Sequence, residues 1–568
     1  MTDNLQVVVR SLLFCACVVA CGFPPRAKAA PPVDCSSCHD VGQKLQKSVH
    51  SALTCDTCHV QHEKYPHPAG VPKPVCASCH DSEAAEYETS VHGLVAKSGG
   101  AAPDCAGCHS DAHEVVSPKS AAFRAALPDT CGICHSDVAA QYKSSVHGQA
   151  LQRGEAEAPL CTDCHGAHTI QKHTSEASPV SLGRIRDTCG SCHGNVRLSA
   201  RYGMPVDRLV SYDASFHGLA AKSGNQTVAN CASCHGVHNI LASTDPKSTI
   251  NPKNLAQTCG KCHTGAGKRF AITPVHILEN GTTEAPVVRW VRWFYSVLIP
   301  LVIGLMLLHN LGDWARKVYQ LRFRTASAAT AYVPANVSSE VRMLPFERLQ
   351  HALLALSFLV LVWTGLALRY PDQLWARPLL FWEDRWPVRS VVHRSAAVIF
   401  ILVSVMHALS LAFNPRLRTH WKELWPRLGD VTEAVGSMAW NLGLRSSPVH
   451  RSPHGYIEKA EYWALVWGAF VMTVTGVALW ANNLVLSLLP KSWLDVATSV
   501  HFYEAVLAAL AIVVWHFYSV IFDPDVYPMD MGWFNGYSVR TQRDNETPES
   551  GAGPEDSAGP QDMEKPAP

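Results

Sequence analysis

The sequence predicts a molecule in two parts, an N-terminal region of short helices and loops with little regular secondary structure and a C-terminal all-α membrane domain. The motif Cys-x-x-Cys-His recurs nine times before residue 265, whereas five apolar stretches of near bilayer-spanning length lie between residues 291 and 522. Apolar residues make up 47% of the 568 residues and are concentrated in that second region. The net charge of +1 gives no indication of a nucleic-acid partner.

The first 29 residues have the features of an export signal. Arg10 precedes the apolar stretch "LLFCACVVACGF", and the small residues "AKA" follow at Ala27–Ala29. This order predicts a signal peptide cleaved near Ala29, with residue 30 onward outside the cytoplasm. The stretch "VVAC" leaves open the alternative of a lipoprotein site at Cys21.

The nine motifs predict nine covalently attached haem c groups. In such a motif two thiols add to the porphyrin vinyl groups as thioethers, and the adjacent His becomes an axial ligand of the iron. The motifs use eighteen of the 21 cysteines, and the other three lie in the signal segment, which argues against disulfides and zinc. The attachment cysteines are Cys35, Cys38, Cys55, Cys58, Cys76, Cys79, Cys105, Cys108, Cys131, Cys134, Cys161, Cys164, Cys189, Cys192, Cys231, Cys234, Cys259 and Cys262. The motif histidines are His39, His59, His80, His109, His135, His165, His193, His235 and His263.

A two-motif repeat supplies nine further histidines as second axial ligands. Five lie in triplets such as "SVH", and four trail a motif by three or four residues, as in "CTDCHGAH". The triplet histidines are His50, His92, His147, His217 and His276, and the trailing ones are His62, His113, His168 and His238. Nine haems with nine regularly placed extra histidines predict bis-His, six-coordinate iron, which transfers electrons without binding substrate. The repeat leaves open which distal His serves which haem.

Residues 33–280 therefore resemble the multihaem cytochromes of the class III and decahaem kind. The resemblance rests on the motif and on its paired repeat. It implies a core built largely of porphyrin, with closely stacked haems that form a wire. The expected periplasmic nonahaem domain spans residues 30–280.

The five apolar stretches predict membrane-spanning helices at residues 291–309, 347–368, 391–413, 461–481 and 501–522. Lys and Arg are abundant after the first and third stretches, which places those two loops in the cytoplasm, although the outer loop at 369–390 also carries four Arg. The predicted order is an anchor helix and connector (281–343) and a four-helix bundle (344–530). The Pro-, Gly-, Ser- and acid-rich tail (541–568) is expected to be disordered.

Histidines within membrane spans are costly and indicate function. Two of them, His501 and His516, lie on the fifth span about 22 Å apart at the helical rise per residue. Because the hydrocarbon core is about 30 Å thick, this spacing predicts one haem in each leaflet.

Residues 344–529 resemble the dihaem b-type cytochrome subunits of formate dehydrogenase and nickel–iron hydrogenase. The matching stretches are "FERLQH", "RSVVHR", "EKAEYW" with "MTVTGVALW", and "HFYEAVLAALAIVVWHFY". The resemblance implies two haem b groups, with His393 and His501 on the outer one and His351 and His516 on the inner one.

Two further histidines have alternative readings. His407 lies near the inner face and remains an alternative to His351, while His309 is read as a helix-end or core histidine. The same resemblance places a quinone site beside the inner haem, with candidates His454, Tyr456, Glu458 and Lys459; Lys459 is equally explained by contact with lipid headgroups.

The whole order of domains resembles the inner-membrane quinol-oxidising cytochromes of metal-respiring bacteria. It implies a multi-pass inner-membrane quinol dehydrogenase that moves electrons from menaquinol or ubiquinol through two b haems and nine c haems to periplasmic cytochromes or other redox proteins. Three alternatives stay open: the reverse current from a periplasmic dehydrogenase to quinone, a non-catalytic anchor and electron store, and a terminal reductase.

Overall fold

The computed structural model describes residues 35–60, 72–265, 267, 275–277, 284–323, 343–447, 449 and 455–537. Within these residues the chain is helical and contains no extended strand. It forms two compact units, one of residues 1–181 with 238–240, the other of residues 182–237 with 241–568. The signal segment, the connector from 324 to 342 and the tail from 538 lie outside the described residues.

The first unit consists of short helices, as predicted, joined by turns. Each Cys-x-x-Cys-His motif either opens a short helix or lies at the end of one. Two 3₁₀ turns cover Cys35–Ser37 and Cys76–Ser78. The α-helices are α1 (Gly42–Leu45), α2 (Cys55–Cys58), α3 (Asp81–Thr89), α4 (Val91–Lys97), α5 (Cys105–His109), α6 (Ala121–Gly132), α7 (Ser136–Ser144), α8 (Val146–Gln152) and α9 (Cys161–His165).

The second unit begins with further short helices of the same kind and continues into long apolar ones. The short helices are α10 (Ile185–His193), α11 (Val196–Arg201), α12 (Arg208–Ala214), α13 (Phe216–Lys222), α14 (Cys231–His235) and α15 (Leu255–Gly260). The later helices are α16 (Pro286–Phe323), α17 (Pro345–Arg369), α18 (Arg377–Leu380), α19 (Val388–Phe413), α20 (Pro415–Lys422), α21 (Leu428–Asn441), α22 (Tyr456–Trp480), α23 (Asn482–Leu488), α24 (Ser492–Ala511) and α25 (Gly532–Asn535).

Five of these helices are long and apolar enough to cross a membrane, which confirms the predicted spans. They are α16, α17, α19, α22, and α24 with its continuation to Phe522. α17 packs on α19, α22 packs on α24, and α16 packs against α24. Few of their apolar side chains are buried within the protein, as expected for helices that face lipid.

The bundle has two ends, the junction end and the far end. The junction end holds the connections at 370–387 and 481–491, and the far end holds the starts of α17 and α22 together with the end of α19. α24 changes to π-helical geometry over Ile512–His516 and again over Tyr518–Phe522 as it approaches the far end. Such π segments are rare and occur frequently at functional sites.

Candidate functional site

The predicted ligand histidines meet in ring pairs whose spacing suits a metal between them. Their ring centres are 6.1–6.5 Å apart. An imidazole nitrogen lies about 2 Å from a bound metal, so two rings on opposite sides of one iron have centres roughly 6 Å apart. The pairs in the Cys/His-rich region are His50–His80, His59–His113, His92–His135, His109–His168, His165–His238, His217–His263 and His235–His276.

Six of these seven pairs follow one rule along the repeat; in the seventh, the last triplet His, His276, contacts the eighth-motif His235. A triplet His contacts the next odd-numbered motif downstream, as His92 does with the fifth-motif His135. A trailing His contacts the even-numbered motif one repeat upstream, so that His168 reaches back to His109. His165 is thereby left to pair with His238. The two histidines of "CTDCHGAH" therefore belong to different pairs.

Local capping positions the triplet histidines. Ser90 lies at the N-cap of α4 and accepts a hydrogen bond from the Gly93 N–H (3.1 Å), which starts a new helix just before His92. A Cβ on Gly93 would overlap the carbonyl oxygen of Tyr87. The Tyr87 hydroxyl in turn donates to the Pro103 carbonyl (2.6 Å), which ties this corner to the neighbouring motif. Tyr142 with Ser145 and Gly148, and Tyr212 with Ser215 and Gly218, repeat the arrangement.

A left-handed residue positions the trailing histidines. Gly166 has φ of 81°, which turns the chain sharply after the motif and carries His168 away from His165. The segment behind it is then held by the Val91 N–H, which donates to the Ile170 carbonyl (2.9 Å) beside His92. Gly236 and the Val146–Ile240 hydrogen bond reproduce this geometry one repeat later.

The motif cysteines are grouped two motifs at a time. No described cysteine forms a disulfide. In the first, third, fifth and seventh motifs, the first cysteine lies in hydrogen-bonding contact with the first cysteine of the next motif. The pairs are Cys35–Cys55, Cys76–Cys105, Cys131–Cys161 and Cys189–Cys231.

Burial favours the neutral imidazole that metal binding needs. Burial lowers the pKa of His165, His217 and His235 below the ordinary value. Burial, with the nearby Arg208 guanidinium, lowers the pKa of His276 to about 4.

The remaining predicted c-type ligands are located as follows. His39 follows the first 3₁₀ turn, His147 is in α8 and His193 ends α10. His62 lies outside the described residues.

In the bundle, the first histidine pair lies toward the junction end. His393 on α19 and His501 on α24 have ring centres 6.5 Å apart. Thr364 Oγ1 donates to the Val360 carbonyl (2.6 Å) and lies 2.8 Å from His393 Nδ1, and Thr475 makes the same contacts to the Val471 carbonyl (2.7 Å) and to His501 Nδ1 (2.9 Å). Because each hydroxyl hydrogen is donated to the backbone, each threonine accepts from Nδ1–H and leaves Nε2 free for a metal.

Glycines adjoin both rings of this pair. A Cβ on Gly365 would lie 3.5 Å from His393 Cε1, and one on Gly476 would lie 3.2 Å from His501 Cε1. The glycines thus leave room for flat groups beside the rings, and the donor set fits a b-type haem.

The second pair lies at the far end. His351 on α17 and His516 in the π-helical segment have ring centres 6.3 Å apart, and His516 Nδ1 lies 3.3 Å from Glu461 Oε2. His407 instead has its Nε2 3.0 Å from the Tyr462 hydroxyl and its Nδ1 3.3 Å from Gln350 Oε1. Of the two alternatives left by the sequence, the structure thus brings His351 to His516.

The residues predicted for a quinone site are largely engaged within the protein. Tyr456 is buried and hydrogen-bonds His309 Nε2, and Lys459 is buried and pairs with Asp430 at 2.6 Å. Glu458 is half-buried, and His454 lies outside the described residues. His309 is buried against Trp515 as well, in keeping with the reading of a core histidine.

An internal repeat in the bundle was not recognised from the sequence. Residues 345–369 align without a gap on residues 456–480, which matches Thr364–Gly365 with Thr475–Gly476 and Gln350–His351 with Glu461–Tyr462. Residues 388–413 align on 496–522 with one added residue in the second copy, which matches His393 with His501 and His407 with His516. The added residue lies in the π-helical segment, which is how a helix accommodates an insertion.

The last Cys-x-x-Cys-His motif contacts the junction end of the bundle within the second compact unit. His263, the partner of His217, has its Nδ1 3.1 Å from Asn483 Oδ1 at the start of α23. A Cβ on Gly265 would lie 2.5 Å from the Asn483 carbonyl oxygen, so the backbones approach closely there.

Membrane helices that hold two opposed histidine pairs at different depths define a membrane electron-transfer cytochrome of the b type. Residues 342–527 match the family model described as prokaryotic cytochrome b561, which supports b haems in this C-terminal region. No curated protein and no solved structure matches the chain.

Proposed function

We propose that the chain is a membrane-bound quinol dehydrogenase that passes electrons from the quinol pool, through two b haems and nine c haems, to a periplasmic acceptor. Bound haem supplies an iron that takes up and releases one electron at a time. The chain would supply one imidazole on each face of that iron, so that no position is left for substrate.

The contact between His263 and Asn483 carries this proposal. The ring pair of the ninth motif lies at the junction end, which is also the end of the bundle that holds His393 and His501. A hydrogen bond to Nδ1 fixes both the tautomer and the orientation of an axial histidine. Asn483 therefore serves as the link between the soluble region and the membrane bundle.

The far end would be where quinol is oxidised. It holds the second pair, His351 and His516, and in the proposed orientation it faces the cytoplasm. Tyr456 and Lys459 hold α16 and α21 against α22 through their bonds to His309 and Asp430. We assign these two residues a scaffolding role beside the quinol site.

The test uses the full-length protein, purified and placed in lipid nanodiscs. Menadiol is added without oxygen, and the α-bands of b and c haems are followed separately by stopped-flow absorbance. The expected result is that b-haem reduction precedes c-haem reduction. If menadiol reduces neither set although dithionite reduces both, the proposal is wrong; if c haems are reduced first, electrons enter elsewhere.

A further inference from the structure

The internal repeat gives the far end two equivalent positions, and only one of them is a histidine pair. His351 and His516 form the pair, and the matching residues in the other half are Tyr462 and His407. Tyr462 Oη lies 3.0 Å from His407 Nε2, which is too close for a metal that needs about 2 Å on each side. The second position is therefore a direct hydrogen bond.

The surrounding contacts of the two positions match as well. Gln350 Oε1 lies 3.3 Å from His407 Nδ1, as Glu461 Oε2 does from His516 Nδ1. Ser410 Oγ donates to the His407 carbonyl (2.7 Å), as Ser519 does to that of His516 (3.0 Å). The two positions thus have the same polar frame, but only the one with two histidines leaves room for a metal.

One group in this frame has an unused hydrogen-bond donor. Gln350 is only 6% exposed, and its Nε2 has no hydrogen-bond partner within the part of the chain that the structure describes. A buried amide without a partner is destabilising, because it has lost its hydrogen bonds to water and gained none within the protein. An oxygen-bearing ligand that accepts from this amide would remove that cost.

A cavity of about 540 Å³ opens one helical turn away. Ser410 in its wall is three residues after His407, and Phe346 is four residues before Gln350, so each shares a helix face with a member of the frame. The other lining residues are Leu344, Phe413, Asn414, Pro415 and Leu417. A mostly apolar wall with a few polar groups and this volume are typical of a site for a small organic ligand.

The lipid side of the cavity is open to an apolar chain. Phe413 is 81% exposed and Phe346 is 41% exposed, and both lie at the end of membrane-spanning helices. A ligand with a polar ring and a long apolar tail could place its ring inward and its tail in the lipid.

We propose that the His407–Tyr462–Gln350 frame and the adjoining cavity bind the ring of a membrane quinol or quinone. This inference rests on the proposed function and names the site where its substrate binds. Gln350 Nε2 donates to one ring oxygen, and the His407–Tyr462 pair holds the amide in place through Gln350 Oε1.

The test measures equilibrium binding of tritiated menadione to the full-length protein in nanodiscs, together with KM and kcat for menadiol. The variants are Tyr462→Phe, which removes the hydroxyl, and Ser410→Leu, which fills the cavity. Loss of one hydrogen bond is expected to weaken binding and raise KM about three- to tenfold, with kcat changed less. Leu409→Phe, on the same helix but 51% exposed, is the matched control and should bind as the unaltered protein does.

Two results would overturn the inference. One is unchanged menadione binding in both variants. The other is loss of a b haem from His407→Gln, measured as the pyridine haemochrome, because His407 would then be a ligand. A third result would separate the two proposals. If menadione binding depends on Ser410 and Tyr462 but menadiol does not reduce the protein, this site is supported and the proposed direction of electron flow is wrong.

Discussion

Thr364 and Thr475 each determine which nitrogen of the neighbouring imidazole carries the proton. Each hydroxyl has one hydrogen to donate, and the direction of that hydrogen decides the tautomer. The hydroxyl donates to a carbonyl one turn earlier in its own helix, so only its lone pairs are available to the histidine. The same contact occurs in both halves of the bundle, at His393 and at His501. Removal of either hydroxyl would leave a buried imidazole N–H without an acceptor.

Thr475→Val is therefore expected to lower b-haem occupancy or the affinity for haem b roughly 10–100-fold, while Thr475→Ser retains both. The ratio of haem b to haem c, measured as pyridine haemochromes, reports the result. Thr498→Val is the matched control. Thr498 lies on α24, is exposed, and donates to the Leu494 carbonyl one turn earlier, as Thr475 does to Val471 on α22. An equal loss in the control would mean that the threonine acts on helix stability alone.

At this scale the sequence predicted the histidines far better than the groups that position them. His501 and His393 stand out because a histidine in an apolar span is costly. Thr475, Ser90 and Tyr87 have no such signal, since these residue types occur in most helices and turns. Their roles follow from hydrogen bonds between elements distant in sequence, such as Tyr87 to Pro103.

The π-helical segment of α24 sets the direction in which His516 points. Residues 496–522 contain one residue more than the matching residues 388–413. The wider π-helical turn at Ile512–His516 accommodates this added residue between His501 and His516. Each helical residue rotates the chain by about 100°. The added residue thus decides whether His516 faces His351.

Deletion of Val513 is expected to return this segment to α-helical geometry and to turn His516 away from His351. The far-end b haem should then be lost while the junction-end one, on His393 and His501, stays. A haem b to haem c ratio reduced by about half, with c haems intact, would be the expected result; Val513→Ala is the control. Retention of both b haems would show that the π turns are dispensable.

Lys459 and Asp430 join α22 to α21 by an ion pair between a buried lysine and a half-buried aspartate. Burial opposes ionisation of Asp430, but the Lys459 ammonium and the Arg427 backbone N–H outweigh it and lower its pKa. A lowered pKa in the folded state contributes stability above the unfolded value of about 3.9. That contribution is lost as the pH falls through the folded pKa.

Lys459→Met is expected to cost about 1.5–3 kcal/mol of unfolding free energy at neutral pH, because the half-buried Asp430 carboxylate loses its charged hydrogen-bond partner. Denaturant titration followed by circular dichroism in nanodiscs measures the change. The double variant Lys459→Met with Asp430→Leu should recover much of the lost unfolding free energy. Its unfolding free energy should also no longer fall, through this pair, as the pH drops below about 4. Equal stability of the single and double variants would show that the pair is not coupled.

The five spans were predictable because apolar length alone distinguishes a membrane helix. The amphipathic helix α21 and the π segments were not, because short or irregular elements depend on what they pack against. Tyr456 shows the limit clearly: its position near an inner-face helix start suggested quinone chemistry, whereas its hydroxyl is occupied by His309 from another helix.

At the scale of the whole molecule, the ninth motif contacts the membrane bundle through His263 and Asn483. Asn483 thereby joins the Cys/His-rich region to the membrane bundle, although it belongs to neither histidine pair of the bundle. The sequence suggested both regions but not their meeting point, since nothing in the pattern "WANNL" distinguishes Asn483 from Asn482.

Asn483→Leu is expected to leave quinol-driven reduction of the b haems unchanged and to slow subsequent c-haem reduction about tenfold. Stopped-flow absorbance with menadiol, read at the b and c α-bands, separates the two steps. Asn482→Leu, one residue away, is the control. If both variants transfer electrons at the rate of the unaltered protein, electrons leave the bundle by another route.

The ring pairs in the Cys/His-rich region also constrain how the protein can be assembled. His109 pairs with His168 and His165 pairs with His238, and in each case the second histidine belongs to the following repeat. If the chain is exported starting from its N-terminus, each even-numbered motif would therefore emerge before the histidine that pairs with it. Each repeat could therefore be completed only after the following repeat had emerged. A chain truncated between two repeats would lack the histidine that pairs with its last even-numbered motif.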